Sequence, residues 1–457
     1  MVGLVLTGLV RAIARIGAER WFGVDTLGVL TLAMSVAAIL TIIGSGGLSP
    51  GVTKFISQLR GERDQALASD LSILAARAGV VFSLVGAVVA MVYVSFSDRL
   101  GTTPPFEVFA IGTLVMAFGF YLSGKSILYG EDRIRPYVGR EVLGSILFAV
   151  TLGLAVVLQA PPLIILALSA AYLPVGLTVL RAFRHMGPAK RLPIRSFVGY
   201  GIIGAVGSLA GVGFSYMTPI AATYVDALAG AALIGGVLTV LEPLNLLPRA
   251  VSLVLLPTIS QTNAREGTAR SAGSIAVSTA IVAASSAPIF ALLIIERSRF
   301  LGIFFTSLTG GATLAWFSVA FFTRIVGTPS VAALAALDLR RASIAMWSSL
   351  VGFSVAIVVW ITVSPAMGVP AIGLGYAIGS SIQVMAPLIV ATRRYGVRWG
   401  SLWYRVAAAA VVVGVMALLP PKGSTDVLTI ALVLGLMTPE VRTVITLLRS
   451  AVRRRFA

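Results

Sequence analysis

Residues 21–64 read WFGVDTLGVLTLAMSVAAILTIIGSGGLSPGVTKFISQLRGERD, and this stretch decides the fold. It opens on a glycine-bounded turn, Gly23-Val24-Asp25-Thr26-Leu27-Gly28. Residues 27–48 then form an apolar run, and about 20 such residues suffice for a helix to cross a bilayer. Ser49-Pro50-Gly51 is expected to break that helix, because proline lacks the N–H of the helical ladder and glycine adds backbone entropy. Beyond the break, Val52, Phe55, Ile56 and Leu59 recur on one helical face, with Lys54, Arg60 and Arg63 on or just past the other. That pattern predicts a short basic helix lying on the cytosolic membrane surface.

The rest of the chain has the same character. Of 457 residues, 58% are hydrophobic and 11% charged, where a soluble domain carries about 25% charged residues. The expectation is an all-α integral membrane protein without a cleavable signal peptide. Cysteine is absent and His185 is the sole histidine, which excludes disulfides, thiolate or histidine-pair metal sites and histidine-based triads. The spacing Gly-x-x-x-x-Gly-Lys-Ser occurs at Gly119–Ser126, but inside the apolar run 106–128 and not in a loop between a strand and a helix, so ATP hydrolysis at a phosphate-binding loop is not expected, and neither is a cofactor. A net charge of +18 would suggest nucleic acid in a soluble chain. Here the basic residues fall in loops at span ends, where they set topology and favour anionic headgroups.

About fourteen spans are legible, at residues 3–21, 27–48, 74–96, 106–128, 142–158, 163–180, 197–222, 231–256, 275–295, 312–334, 344–363, 369–391, 406–419 and 427–448. Alternate loops differ in charge. One set carries Lys54, Arg60 and Arg63, then Arg133, Arg135 and Arg140, then Arg184, Lys190, Arg191 and Arg195, down to the tail Arg453-Arg454-Arg455. The other set carries little beyond Arg99, Arg297, Arg299 and Lys422. Both termini are therefore expected in the cytosol. A repeat relates two halves: Ile56-Ser57-Gln58 follows Pro50, and Ile259-Ser260-Gln261 follows Pro257. The reading is a six-helix bundle over residues 1–182, a polar cytosolic linker over 183–196, a second six-helix bundle over 197–392, and two additional helices with a basic tail over 393–457.

Several motifs carry a resemblance. Phe22-Gly23-Val24-Asp25-Thr26-Leu27-Gly28 and Gly47-Leu48-Ser49-Pro50 resemble the opening of the polysaccharide-export (Wzx-type) flippases of the multidrug/oligosaccharidyl-lipid/polysaccharide (MOP) superfamily. Val24 stands where those proteins usually have proline. Asp226, Gly235, Glu242 and Leu255-Leu256-Pro257 resemble a second family pattern, and Met367-Gly368-Val369-Pro370-Ala371-Ile372-Gly373 the turn into span twelve. The two extra C-terminal spans resemble those of lipid II flippases. The resemblance implies a transporter that moves a lipid-linked anionic oligosaccharide across the cell membrane, with membrane lipids and glycan-assembly enzymes as partners. The alternative in the same superfamily is a multidrug-type cation antiporter, which would want acidic cavity residues. An integral-membrane glycosyltransferase or ligase would need a sizeable outer loop bearing catalytic acids or a histidine, and the outer loops are short.

Ionisable residues inside spans are the site candidates. Arg11 and Arg15 lie one turn apart on one helix face, and each costs roughly 2.5–3.5 kcal/mol at a span centre. Either they line a wet cavity and bind a diphosphate or acidic sugar, or they snorkel to an interface. Glu242 beside Pro243, with Asn245 and Arg249 following, marks either a broken, cavity-lining helix with an ion-coupling carboxylate or a self-neutralising pair. Lys125 and Arg324 sit nearer span ends and are further substrate-binding candidates. Asp226 is a second ion-coupling candidate, or a cap on an outer turn.

Overall fold

The structure, a computed structural model, describes residues 2–62, 64–96, 104–183, 194–245, 268–335, 339–418 and 429–438. All the regular structure among them is helical. Ten helices among the described residues are long and apolar enough to cross a membrane. Helices occupy the described parts of every expected span, so the all-helical membrane fold holds.

The chain divides into two compact units, Met1–Thr239 with Phe305–Leu308, and Val240–Phe304 with Thr309–Ala457.

In the first unit, α1 (Val2–Phe22) leads through Gly23 into α2 (Val24–Thr41), a π turn (Ile42–Gly46) and α3 (Gly47–Gly61). The break in this stretch falls earlier than the sequence suggested. It lies at Gly44, with φ −95° and ψ −108°, and α3 runs through Pro50 without interruption. The reason is position. Pro50 is in the first turn of α3, where the N–H groups have no intrahelical partner, and its ring disturbs only the preceding turn. The apolar face of α3 also departs from expectation. Val52, Ile56 and Leu59 are buried against Leu71, Ala75, Ala76, Ile127 and Val179 of the protein itself.

The helices α4 (Gln65–Ser95) and α5 (Pro105–Gly130) complete this packing. A hydroxyl ladder joins α3 to α5: Ser49, Thr53 and Ser57 donate to the carbonyls of Leu122, Ser126 and Gly130. The advance of four residues on both helices at each rung makes the two parallel and holds them in one register. Next come α6 (Ile134–Val157), α7 (Pro162–Gly176) and α8 (Thr178–Phe183). Here glycine permits backbone contact: a Cβ on Gly144 of α6 would lie 2.1 Å from the Ala171 carbonyl of α7. Close approach through small residues is how helices associate where no apolar surface is removed from water.

Helix α9 (Ile194–Ser208) continues through a second π turn, Leu209–Gly213, into α10 (Phe214–Leu241). The chain reverses inside α10. Asp226 (φ −146°, ψ 45°) and Ala227 (φ 38°, ψ −135°) are non-helical, and a Cβ on Gly230 would lie 2.6 Å from the Ala222 carbonyl. Residues eight apart in a straight helix stand about 12 Å apart, so these are two antiparallel segments joined at the expected turn.

The second unit contains the short turn Glu242–Asn245, α11 (Thr268–Ile295), α12 (Arg297–Phe304), α13 (Gly311–Ala335), α14 (Leu339–Met367), α15 (Pro370–Tyr395), α16 (Leu402–Leu418) and α17 (Thr429–Thr438). Ser348 Oγ donates to the Gln383 carbonyl and Trp360 Nε1 to that of Ile372, so α14 and α15 are antiparallel. The repeat motif at 257–261 lies outside the described residues.

Candidate functional site

The strongest polar constellation is inside the first unit, where α1 meets α5, α7 and α10. Arg11 is held by two tyrosines. Its Nε donates to Tyr172 Oη at 2.8 Å and its Nη1 to Tyr216 Oη at 3.2 Å. The guanidinium carbon stands 5.3 Å from the Phe118 ring centre and 5.7 Å from that of Tyr172. Phenol oxygens accept from two of its five N–H groups, and the ring faces offset the desolvation of the charge. The free space beside it, bounded also by Met34, Ala37, Ala38 and Leu114, is about 10 Å³, room for a single water. One turn on, Arg15 is buried at 1% exposure. Arg11 is half-buried, and its guanidinium turns to the tyrosines of neighbouring helices.

A second group adjoins the first through stacked rings. Tyr121 lies 6.0 Å from Phe118 and 5.1 Å from Tyr172, between ring centres. Its hydroxyl donates to Glu141 Oε1 at 2.8 Å, and Thr7 Oγ1 of α1 donates to Glu141 Oε2 at 3.1 Å. Glu141 is 4% exposed, and Tyr137 stands within 3.4 Å of the Tyr121 hydroxyl. The Lys125 ammonium sits 5.5, 5.9 and 5.8 Å from the ring centres of Tyr121, Tyr129 and Tyr137. Arg11, the tyrosines, Glu141 and Lys125 thus form one continuous file of charge and aromatic rings. Such a file suits an anionic, ring-bearing ligand: guanidinium and ammonium for phosphate or carboxylate, flat aromatic faces for sugar rings.

The remaining candidates stand elsewhere. Arg324, on α13 in the second unit, donates to Tyr376 Oη of α15, and that tyrosine ring is flanked by Phe317 and Phe321. Glu242 is half-buried where α10 tightens into the turn Glu242–Asn245. Asp226 is exposed at the α10 reversal. Arg249 lies outside the described residues.

Sequence reasoning missed Tyr172, Tyr216, Tyr121, Tyr137 and Glu141. Glu141 falls one residue before the expected fifth span, 142–158, next to Arg140 of the expected basic loop. Helix α6 begins at Ile134, which carries Glu141 two turns inside. A signal was present: Tyr137/Glu141 and Tyr121/Lys125 are both spaced four apart, on one face of their helices.

No protein-family model matches the chain, and no curated protein does. Solved structures do. An inward-facing multidrug resistance MATE family transporter of the MOP superfamily aligns with a TM-score of 0.68 at 13% identity, over 86% of this chain and 94% of its own. The inward closed conformation of the lipid II flippase MurJ aligns with a TM-score of 0.67 at 9% identity, over 98% of both chains. The fold is that of MOP-superfamily transporters. A third neighbour, a MOP superfamily transporter from Pyrococcus furiosus described as having a binding pocket of reversed polarity, aligns with a TM-score of 0.56 at 14% identity over 86% of this chain and 95% of its own. At these identities the likeness is one of fold, and the substrate has to be argued from the site.

Proposed function

We propose that the protein is a flippase that carries a lipid-linked anionic oligosaccharide, a polyprenyl-diphosphate glycan, across the cell membrane for surface glycan assembly. The observation that supports this over cation export is the sign of the polar file. Arg11 and Lys125 outnumber Glu141, and the walls are tyrosine and phenylalanine. A guanidinium presents a planar fork that matches phosphate, and it carries its charge at any physiological pH. A cationic drug would meet repulsion there.

The second unit supports the lipid half of the substrate. An almost wholly apolar cavity of about 1330 Å³, counting its open mouth, lies among α11, α13, α16 and α17. Phe290, Ile294, Trp316, Phe322, Val406 and Val413 line it. Two of its walls are the C-terminal helices that lie beyond the twelve-helix core, and the occupant we assign is a stretch of the polyprenyl chain. The fold neighbour MurJ, whose substrate is lipid II, is a lipid-linked flippase.

In this reading two six-helix bundles open alternately to each side, the diphosphate meets Arg11, and the chain stays in an apolar environment throughout. Both termini lie in the cytosol, and glycan-assembly enzymes supply and consume the substrate. Arg249 and Arg324 remain proposed headgroup contacts. Glu242 and Asp226 remain the proposed ion-coupling carboxylates. Purified protein in vesicles should flip a fluorescent polyprenyl-diphosphate oligosaccharide and leave a cationic dye unmoved. Dye export without lipid flipping would replace this reading with cation antiport.

A further inference from the structure

Helix α1 carries a third charged residue in step with Arg11 and Arg15. Glu19 follows Arg15 by one turn on the same face and is buried at 4% exposure. Its carboxylate reaches the segment between α12 and α13, part of the same compact unit. There a single oxygen, Oε1, accepts from the Thr306 amide, the Thr306 hydroxyl and the Ser307 amide, each at 2.9 Å, and from the Ser307 hydroxyl. The other oxygen, Oε2, is buried with no hydrogen-bond partner among the described residues.

That distribution fits a carboxylate poorly. Each carboxylate oxygen has about two lone-pair sites, yet four donors converge on one oxygen while its neighbour has none. Two consecutive amides with two adjacent hydroxyls form a concave nest of positive polarity. Such a nest is better matched to an anion that presents several oxygens to it. Thr306 and Ser307 are themselves exposed, so the nest is reachable once Glu19 withdraws.

We propose that Thr306 and Ser307 form a binding cup for a phosphate-class anion, and that Glu19 is its built-in occupant, displaced when the ligand binds and expelling it on return. The cup stands on its own geometry. Its part in transport rests on the function proposed above: eight residues of helix, about 12 Å, separate Arg11 from Glu19, with Arg15 between. A diphosphate passing along α1 would meet two cations and then a cup whose resident carboxylate competes for it.

The test is a titration of the purified full-length protein with inorganic diphosphate, read by calorimetry and by thermal melting. Glu19→Ala should bind at least tenfold more tightly than the parent, with a saturable rise in melting temperature of roughly 3 °C at high ligand excess. Adding Thr306→Val and Ser307→Ala to Glu19→Ala should return binding to the parental level. Should Glu19→Ala fail to fold, Glu19→Gln, which keeps the shape and drops the charge, should also bind more tightly than the parent. Equal affinity in parent and Glu19 variants, or a gain that survives loss of the Thr306 and Ser307 hydroxyls, would overturn the cup. Farnesyl diphosphate binding tighter than inorganic diphosphate assigns the cup to a lipid headgroup; the reverse order assigns it to a free anion. Diphosphate binding by a protein that flips no lipid would keep the cup and remove the transport role.

Discussion

Arg11 is the residue on which the proposed function turns, and what fixes it is a pair of phenol oxygens. Each of Tyr172→Phe and Tyr216→Phe removes one hydrogen bond to the guanidinium while keeping the ring. A hydrogen bond to a charged group is worth about 1.5 kcal/mol or more, so affinity for the anionic ligand should fall about tenfold in each variant, measured by ligand titration. Arg11→Lys should not restore it, because an ammonium cannot reach both oxygens with one planar fork. Glu141 tests the other end of the file. Glu141→Leu leaves the buried Tyr121 hydroxyl without its carboxylate acceptor and should cost about 1–3 kcal/mol of stability; Glu141→Gln, which keeps an acceptor, should cost less. Thermal melting of the two variants in detergent checks the order. At this scale the sequence was half legible. An arginine inside an apolar run announces itself, since burying its charge demands a reason. Tyrosines do not, because a tyrosine suits a lipid interface, a core or a site equally well until its neighbours are known.

Among the helices, proline and glycine carried most of what could be read in advance, and their meaning depended on position. Pro50 was a sound sign that something breaks nearby, but the break is displaced to Gly44, since a proline in the first turn of a helix disturbs the turn before it. The amphipathic face after it was read correctly as apolar on one side and wrongly as lipid-facing. Periodicity says that a face is buried and not what buries it. The reversal at Asp226–Ala227 was legible as a turn between apolar runs. What no one-dimensional reading supplies is the pairing of helices. Gly144 against the Ala171 carbonyl is such a pairing, and Gly144→Val, whose side chain has no room there, should destabilise the protein by about 1–3 kcal/mol or more. The same substitution at Gly139, where a Cβ meets nothing within 4 Å, is the control and should melt close to the parent.

For the molecule as a whole, composition and the charge alternation of loops were enough to predict a many-helix membrane protein, and the transporter fold follows the expected order of spans. The substrate was not legible from composition, because a net charge of +18 reports loops at span ends as much as any cavity. The division of labour between a cationic file and an apolar cavity makes a separable expectation. Ala410→Trp places a large ring in the cavity of the second unit. It should slow flipping of a long-chain substrate while leaving inorganic diphosphate binding unchanged, and loss of both would mean that the substitution damages the fold.

The most direct measurement is the rate at which vesicles containing the parent protein or Arg11→Ala flip a fluorescent polyprenyl-diphosphate oligosaccharide, with folding of both matched by thermal melting. The expected result is flipping by the parent, reduced at least tenfold in Arg11→Ala. Equal rates in the two proteins would contradict the claim that the tyrosine-held guanidinium receives the anionic headgroup.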